Sequence, residues 1–329
     1  MENNGYNNML DLTVVVPTYN RRVELVRLLK SFLKTDYLLI NEFIISDNHS
    51  SYDVYETLKE ELPTVFFEKC RIVVNNCNIG GQGNINNCFL LAKTRWMWMI
   101  GDDDIVTESS IDIILRDISS DPECAWFKYS TSNIDALEED CSMNTLHGFI
   151  DYYFKEKRHA GNLVFMSNNI YNLHKLAPYI HYAFDYSYTF VSQIIPPLMG
   201  LDDRQIYVKY RSESICRYSI PANEEQWNCV KVFLGTATIE NIPFVSLNLL
   251  EIRKLKNIFI FWPMNSFVLW IEKNEHKIRR TDLLKKVYNT FYCPTRLRDR
   301  IIFALIYFQI KYKIRIFTFF KNVWKYNKH

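Results

Sequence analysis

Over its first hundred residues the chain alternates between two hydrophobic periods. Leu12–Val16 (LTVVV) is a continuous β-branched run, the pattern of a strand buried on both faces, and it stops at Pro17-Thr18-Tyr19-Asn20. The stretch 22–34 then places Val23, Val26, Leu29 and Leu33 at helical spacing. Phe43–Ser46 predicts a second strand ended by Asp47-Asn48-His49-Ser50, and 52–61 a polar helix. A third strand is predicted over 71–74, followed by Asn78-Ile79-Gly80-Gly81 and a helix over 82–93. A fourth, 96–100, runs into Asp102-Asp103-Asp104. Strand–helix alternation at this spacing predicts an α/β fold with a parallel, doubly wound sheet. Right-handed crossovers bring the C-terminal loop of every such strand to one edge, where ligands bind. The polar clusters at 17–20, 47–50, 78–84 and 102–104 all fall on that edge.

Beyond residue 105 the pattern predicts a helix over 111–118, a strand over 124–129, a loop over 130–148 and a helix over 149–158. Strands follow at 162–166 and 205–210, with a helix between them over 186–198 that ends at Pro196-Pro197. After about Trp227 helices dominate.

Composition places the chain among folded proteins: 48% of its 329 residues are hydrophobic, 23% are charged, and Gly and Pro are scarce. The eight cysteines (70, 77, 88, 124, 141, 216, 229 and 293) form no CxxC pair, which excludes zinc knuckles and points to a reducing cytoplasm. The start, MENNGYNNML, has no basic or apolar leader pattern. The net charge of +2 conceals an asymmetry. From Arg253 onward 18 basic residues face four acids, while residues 1–252 carry 21 basic and 33 acidic side chains. So divided, the chain predicts two functional regions, about 1–225 and a helical, basic 226–329, the second meeting an anionic surface.

Three consecutive aspartates at the end of an apolar strand raise one another's pKa, and a hard divalent cation such as Mg²⁺ or Mn²⁺ relieves that. Asp103 and Asp104 could instead cap the helix that follows. Asp47 ends a strand where a carboxylate can take a ribose or base edge, or serve as a turn residue. Gly80 allows the backbone to approach a phosphate closely. There is no GxGxxG or Walker loop, and no Gly-rich loop with Arg and Lys after the first strand, as a nucleotidyltransferase needs.

Taken in order, Val14-Val15-Val16-Pro17-Thr18-Tyr19-Asn20-Arg21, Ile45-Ser46-Asp47-Asn48, Asn78-Ile79-Gly80 with Asn84, and Ile100-Gly101-Asp102-Asp103-Asp104 resemble the family 2 glycosyltransferases, of GT-A fold. The resemblance covers about residues 12–210. The W-M-W-M-I-G-D-D-D version looks like the bacterial O-antigen branch that includes abequosyltransferases. It implies a metal-dependent, inverting glycosyltransferase in which residues 10–105 hold the nucleotide-sugar and 106–225 the acceptor. Pro17, Tyr19 and Arg21 would line the base and phosphates, Asp47 would hold base or ribose, and Gly80, Asn84 and Asp102 would complete the donor site. Metal would be held by Asp103 and Asp104 in a D-x-D-D register, or by Asp102 and Asp104 in a D-x-D register. Asp185, before an apolar helix, is the implied base, although Phe184 stands where the family's Glu would be; Asp202 and Asp203 are rivals. His181, Tyr182, Tyr186 and Tyr188 are candidate acceptor contacts, and His147, His159 and His174 are read as structural or surface residues. The resemblance also leaves open a non-catalytic nucleotide-sugar-binding or scaffold protein of the same fold.

Uncharged stretches stay below the ~20 residues of a membrane span. Within residues 296–328, however, the stretch 298–325 alone interleaves seven cations, Arg298 to Lys325, with Ile, Phe, Tyr and Trp. That is the pattern of an interfacial amphipathic helix. Nucleic acid is disfavoured as the anionic partner because no nucleic-acid module occurs. The expected setting is peripheral, on the cytoplasmic face of the inner membrane, with an undecaprenyl-linked saccharide as acceptor.

Overall fold

The computed structural model describes residues 11–131, 139–155, 161–219 and 229–260, and further on Leu297, Ile301, Ala304, Leu305, Phe308 and Tyr312. The first half follows the predicted alternation: β1 (Leu12–Thr18), α1 (Arg22–Ser31), β2 (Glu42–Asp47), α2 (Val54–Glu61), a short α3 (Thr64–Phe67), β3 (Cys70–Val74), α4 (Gly81–Leu91) and β4 (Trp96–Met99). Then come β5 (Ile105–Val106), α5 (Ser110–Ser120), β6 (Trp126–Tyr129), β7 (Cys141–Met143), α6 (Leu146–Lys155), α7 (Gly161–Val164), β8 (Asn169–Asn172) and α8 (Leu173–Leu176). The described chain continues through α9 (Ile180–Asp185), α10 (Ile195–Asp202), β9 (Val208–Arg211), β10 (Cys216–Arg217), α11 (Cys229–Ala237) and α12 (Leu249–Ile260).

Eight strands form one sheet in the order β3-β2-β1-β4-β8-β6-β9-β7, and β10 pairs with β5 apart from it. The β3-β2-β1-β4 half is parallel, whereas β8 runs antiparallel between β4 and β6. This is the GT-A form of a doubly wound sheet. Strand alternation divides the core by parity. Leu12, Val14 and Val16 pack with Phe43, Ile45, Trp96 and Trp98 beneath α1, α2 and α5. Val15, Ile44, Met97 and Met99 face α4, α6 and α10. That second core also takes in Ile239, Phe244, Leu255 and Phe259, so the helices after residue 229 share it with the sheet.

Four expectations are corrected. Residues 162–166, read as a strand, form the α7 turn and its exit, and the strand begins at Asn169. An apolar run of four, Leu163–Met166, cannot distinguish the two. The true strand hides its polarity in hydrogen bonds: Trp126 Nε1 donates to Asn169 Oδ1 at 2.9 Å, and Asn169 Nδ2 donates to Phe165 O at 2.8 Å. Residues 186–198 are not one helix. Two 3₁₀ turns (Ser187–Thr189 and Ser192–Ile194) precede α10, and Pro196-Pro197 open that helix rather than end it, because the first turn needs no N–H partner. Within the predicted loop 130–148 lies the short edge strand β7, paired with β9. The two-residue strands β5 and β10 are too short to carry a period.

Candidate active site

The parallel strands deliver their ends to one edge, and the side chains there bind one another across the chain. Thr18 Oγ1 donates to Asp102 Oδ2 at 2.8 Å. Arg21 Nη1 donates to Asp102 Oδ1 at 2.9 Å and to Asp103 Oδ2 at 2.7 Å. Ser167 Oγ donates to Asp104 Oδ2 and accepts from the Gly101 amide at 2.8 Å. The Ser219 amide reaches Asp104 Oδ1 at 3.3 Å. Arg27 Nη2 donates to the Asp103 carbonyl at 2.6 Å and to Ser219 Oγ at 2.7 Å.

The three aspartates are therefore not equivalent. Asp102 and Asp104 are buried, with every carboxylate oxygen engaged by the chain. Asp103 is more open, its side chain 17% exposed against 6% for Asp102. Burial pushes Asp102 up to about 6 despite the Arg21 charge, and pushes Asp104 up to about 7 despite its bond from Ser167. Burial works to lower Arg21, and the Asp102 and Asp103 charges overcome it, holding the guanidinium above its ordinary value. Tyr52 is driven up to about 12 by burial and by the charges of Asp47 and Asp102.

A second cluster lies along the ends of β2 and β3. Asn84 is fixed by Ser46 Oγ at 2.7 Å and Asn75 Nδ2 at 3.0 Å, both onto its Oδ1, while its own Nδ2 donates to Ser46 O at 2.8 Å. Asn48 Oδ1 accepts from the Ile79 amide at 3.0 Å, and Asn48 Nδ2 donates to Asn78 Oδ1 at 2.9 Å. Buried Asp47 accepts the Ser50 amide at 3.0 Å. Gly80 caps α4 at φ 80 and ψ 158, a conformation that a side chain would strain. The turn thus leaves the first amides of α4 at the site, suited to anionic oxygens. Pro17 pairs in register with Ser46, and Tyr19 stands exposed at the mouth.

The candidate acceptor residues form a ladder on and after α9. The His181 and Tyr182 rings lie 3.9 Å apart, Tyr182 and Tyr186 stack at 6.1 Å, and Tyr188 meets Tyr186 edge-on at 6.1 Å. Asp185 does not precede a helix as expected. It is the last residue of α9, exposed and with no side-chain hydrogen bond among the described residues. The last polar residues before α10 are Ser192 and Gln193; Ser192 Oγ donates to Gln82 and Asn86 of α4 at 2.8 and 2.6 Å. Asp202 accepts from Val245 N, Ser246 N and Ser246 Oγ, so it caps a turn. Asp203 follows the last residue of α10 and lies near Tyr179. His147 pairs with Glu251 at 2.6 Å, as a structural residue does, and His159 lies outside the described residues.

The sequence motifs include Thr18 and Asn48 without giving them a role, and they do not include Arg27, Asn75, Ser167 or Ser219. The asparagines carry a signal, six of them within residues 75–87. Ser167 and Ser219 carry none, since both are brought in by distant chain.

A divalent cation fits the cluster in one way. Arg21 Nη1 already sits between two carboxylates at hydrogen-bond distance, marking a cation position between hard oxygens. No three His, Cys, Asp or Glu side chains converge to cage a metal among the described residues. The arrangement suits an ion that a bound diphosphate helps to ligate.

Residues 13–174, 162 of the chain's 329, match the family described as Glycosyl transferase family 2. The chain is 29% identical over 111 residues to the GalNAc(5)-diNAcBac-PP-undecaprenol beta-1,3-glucosyltransferase of Campylobacter jejuni, a match spanning 33% of this chain and 34% of that relative's length. Among solved structures it resembles S. aureus TarS 1–349 in complex with UDP-GlcNAc, at 14% identity and TM-score 0.58, covering 85% of this chain and 79% of the other. It also resembles the mannosyltransferase PcManGT of Pyrobaculum calidifontis in complex with GDP-Man and Mn²⁺, at 11% identity and TM-score 0.52, covering 91% and 85%.

Proposed function

We propose that the protein transfers a sugar from a nucleotide-sugar donor to a lipid-linked saccharide during assembly of a bacterial surface polysaccharide, with inversion at the sugar carbon. The observation that carries this reading is the convergence of Thr18, Arg21, Asp102 and Asp103 beside the Asn84–Gly80 cradle on one sheet edge. The undecaprenol-linked substrate named for the Campylobacter relative supports the acceptor class. The nucleotide-sugars in the TarS and PcManGT complexes support the donor class.

In this reading Asp47 and Asn48 hold base and ribose, the α4 amides and Arg21 meet the diphosphate, and Asp103, with Asp102 or Asp104, holds Mg²⁺ or Mn²⁺. The ion would neutralise charge on the leaving diphosphate. The Tyr182–Tyr186–Tyr188 ladder offers flat faces to the acceptor sugars. Asp185, open to solvent on the same helix end, takes the proton from the attacking hydroxyl. Residues up to about 225 form the catalytic part. The basic segment 296–328 lies almost wholly outside the described residues; of it, Leu297, Ile301, Phe308 and Tyr312 are helical positions 47% to 73% exposed. No helix among the described residues is long and apolar enough to cross a membrane. This segment would hold the enzyme at an anionic bilayer surface where a lipid-linked acceptor resides.

The test is a thermal-shift panel of UDP-, GDP-, CDP- and dTDP-sugars with Mn²⁺, followed by release of the nucleoside diphosphate on adding undecaprenyl-linked acceptor. One donor at about 100 times its Kd should stabilise by about 2.7 kcal/mol. No stabilisation by any donor, or donor binding without transfer to any lipid-linked acceptor, would refute the reading.

A further inference from the structure

Lys128 lies in the middle of β6 and is 0% exposed. No carboxylate among the described residues pairs with it. Its ammonium donates to Phe165 O at 3.0 Å and to Asn168 Oδ1. Burying an ammonium without a counter-charge is costly, and burial accordingly drives its pKa well below that of an ordinary lysine. An aliphatic side chain would fill the position at less cost, so the lysine must be explained by what it holds.

It holds the turn that enters β8. Asn168, also buried, donates from Nδ2 to Tyr129 O at 2.6 Å and to Asn162 Oδ1, so residues 165–168 are tied to β6 through both Lys128 and Tyr129. Ser167 sits within the tied turn, its carbonyl accepting from Trp98 Nε1 at 2.7 Å. Its hydroxyl spans the Gly101 amide and Asp104 Oδ2.

We infer that Lys128 is a positioning residue: through Phe165 and Asn168 it fixes Ser167, and through Ser167 it sets the placement of Asp104 and Gly101 in the aspartate cluster. The inference rests on reading that cluster as the cation and diphosphate site. Partners one step removed from a metal's ligands typically change its affinity about 10-fold to 100-fold when lost.

The experiment measures Mn²⁺ affinity by titration calorimetry in the presence of whichever of UDP, GDP, CDP or dTDP binds wild type most tightly. Each protein's melting temperature is recorded alongside. Lys128→Met and Ser167→Ala should each weaken Mn²⁺ about tenfold or more, and the double variant should be no weaker than the worse single, since both act on one link. Lys128→Gln, which keeps a donor, should recover part of the affinity. Lys128 variants that melt lower yet bind Mn²⁺ within twofold of wild type would overturn the inference, as would effects that multiply in the double variant. Failure of both Lys128 variants to fold would assign the residue to the core alone. Wild type that binds no Mn²⁺ with any nucleotide would bring down the reading of the cluster itself, and the inference with it.

Discussion

Arg21 reaches across 82 positions of sequence to place its Nη1 2.7 Å from Asp103 Oδ2. The same nitrogen touches Asp102, so one guanidinium neutralises two of the three aspartates. Arg21→Ala should therefore strand buried Asp102 with only Thr18 as donor. The expected loss is about 1–3 kcal/mol, the usual cost of leaving a buried polar group unpaired. Mn²⁺ should return more stability to this variant than to wild type, because it enters a cluster without its internal cation. Melting curves at pH 8 with and without MnCl₂ check this. A variant as stable as wild type, or no extra gain from the ion, would show that Arg21 is not the counter-charge.

The same cluster sets a pH dependence. Asp102 at about 6 and Asp104 at about 7 lie above the ~3.9 of an unfolded aspartate. Between about pH 4 and pH 7 the folded, metal-free protein thus binds more protons than the unfolded chain, and its stability falls as pH rises through that window. Above about pH 7 this contribution is constant. Asp104→Asn removes one of the titrating groups, so the stability difference between variant and wild type should shift in the variant's favour from pH 5 to pH 7.5. Urea unfolding at both pH values measures it, and a shift of opposite sign contradicts the account.

Asp185 and Asp202 are separated by what they already hold. Asp202 spends its carboxylate on Val245 N at 2.7 Å, Ser246 N at 2.9 Å and Ser246 Oγ at 2.5 Å, whereas Asp185 is exposed at the end of α9. Asp202→Ala should lower stability by about 1–3 kcal/mol. Asp185→Asn should leave the melting temperature unchanged and lower kcat by about 10²–10⁴. Kinetics on the lipid-linked acceptor and melting of both variants decide the matter; an inactive but fully stable Asp202 variant would move the base there.

The half of the fold built from local pattern is legible in the sequence. β1 declares itself by Val14, Val15 and Val16, and the parallel rule then carries Thr18, Asp47 and Asp102 to one edge. Asp102, Asp103 and Asp104 pose a charge problem by their adjacency alone. The illegible half depends on distant pairing. β8 is Asn-rich because Asn169 and Asn172 bond to neighbouring backbone, and that polarity disguises a central strand. Ser167 gains its place only when β8 lies antiparallel against β4, with Asn169 opposite Met99. Pro196 and Pro197 read as a stop because a proline's meaning depends on which end of a helix it occupies.

The aromatic ladder is held from behind by α11, and Gly235 is the point of contact. A Cβ there would stand 2.4 Å from Phe190 Cδ2 and 2.6 Å from Tyr188 O. Phe190 sits at φ 60, a left-handed conformation that a bulky residue keeps only when its surroundings enforce it. The Phe190 ring could swing aside, but the Tyr188 carbonyl is backbone and carries the ladder with it. Gly235→Ala should therefore cost about 1–3 kcal/mol through overpacking and displace the 186–190 turn. Donor-induced thermal shifts should survive, because Asp47, Asn84 and Arg21 lie on other elements. The KM for the saccharide acceptor should rise several-fold more than the KM for the donor. Equal rises in both would place the ladder outside acceptor recognition, and an unchanged melting temperature would show that α11 yields at this contact.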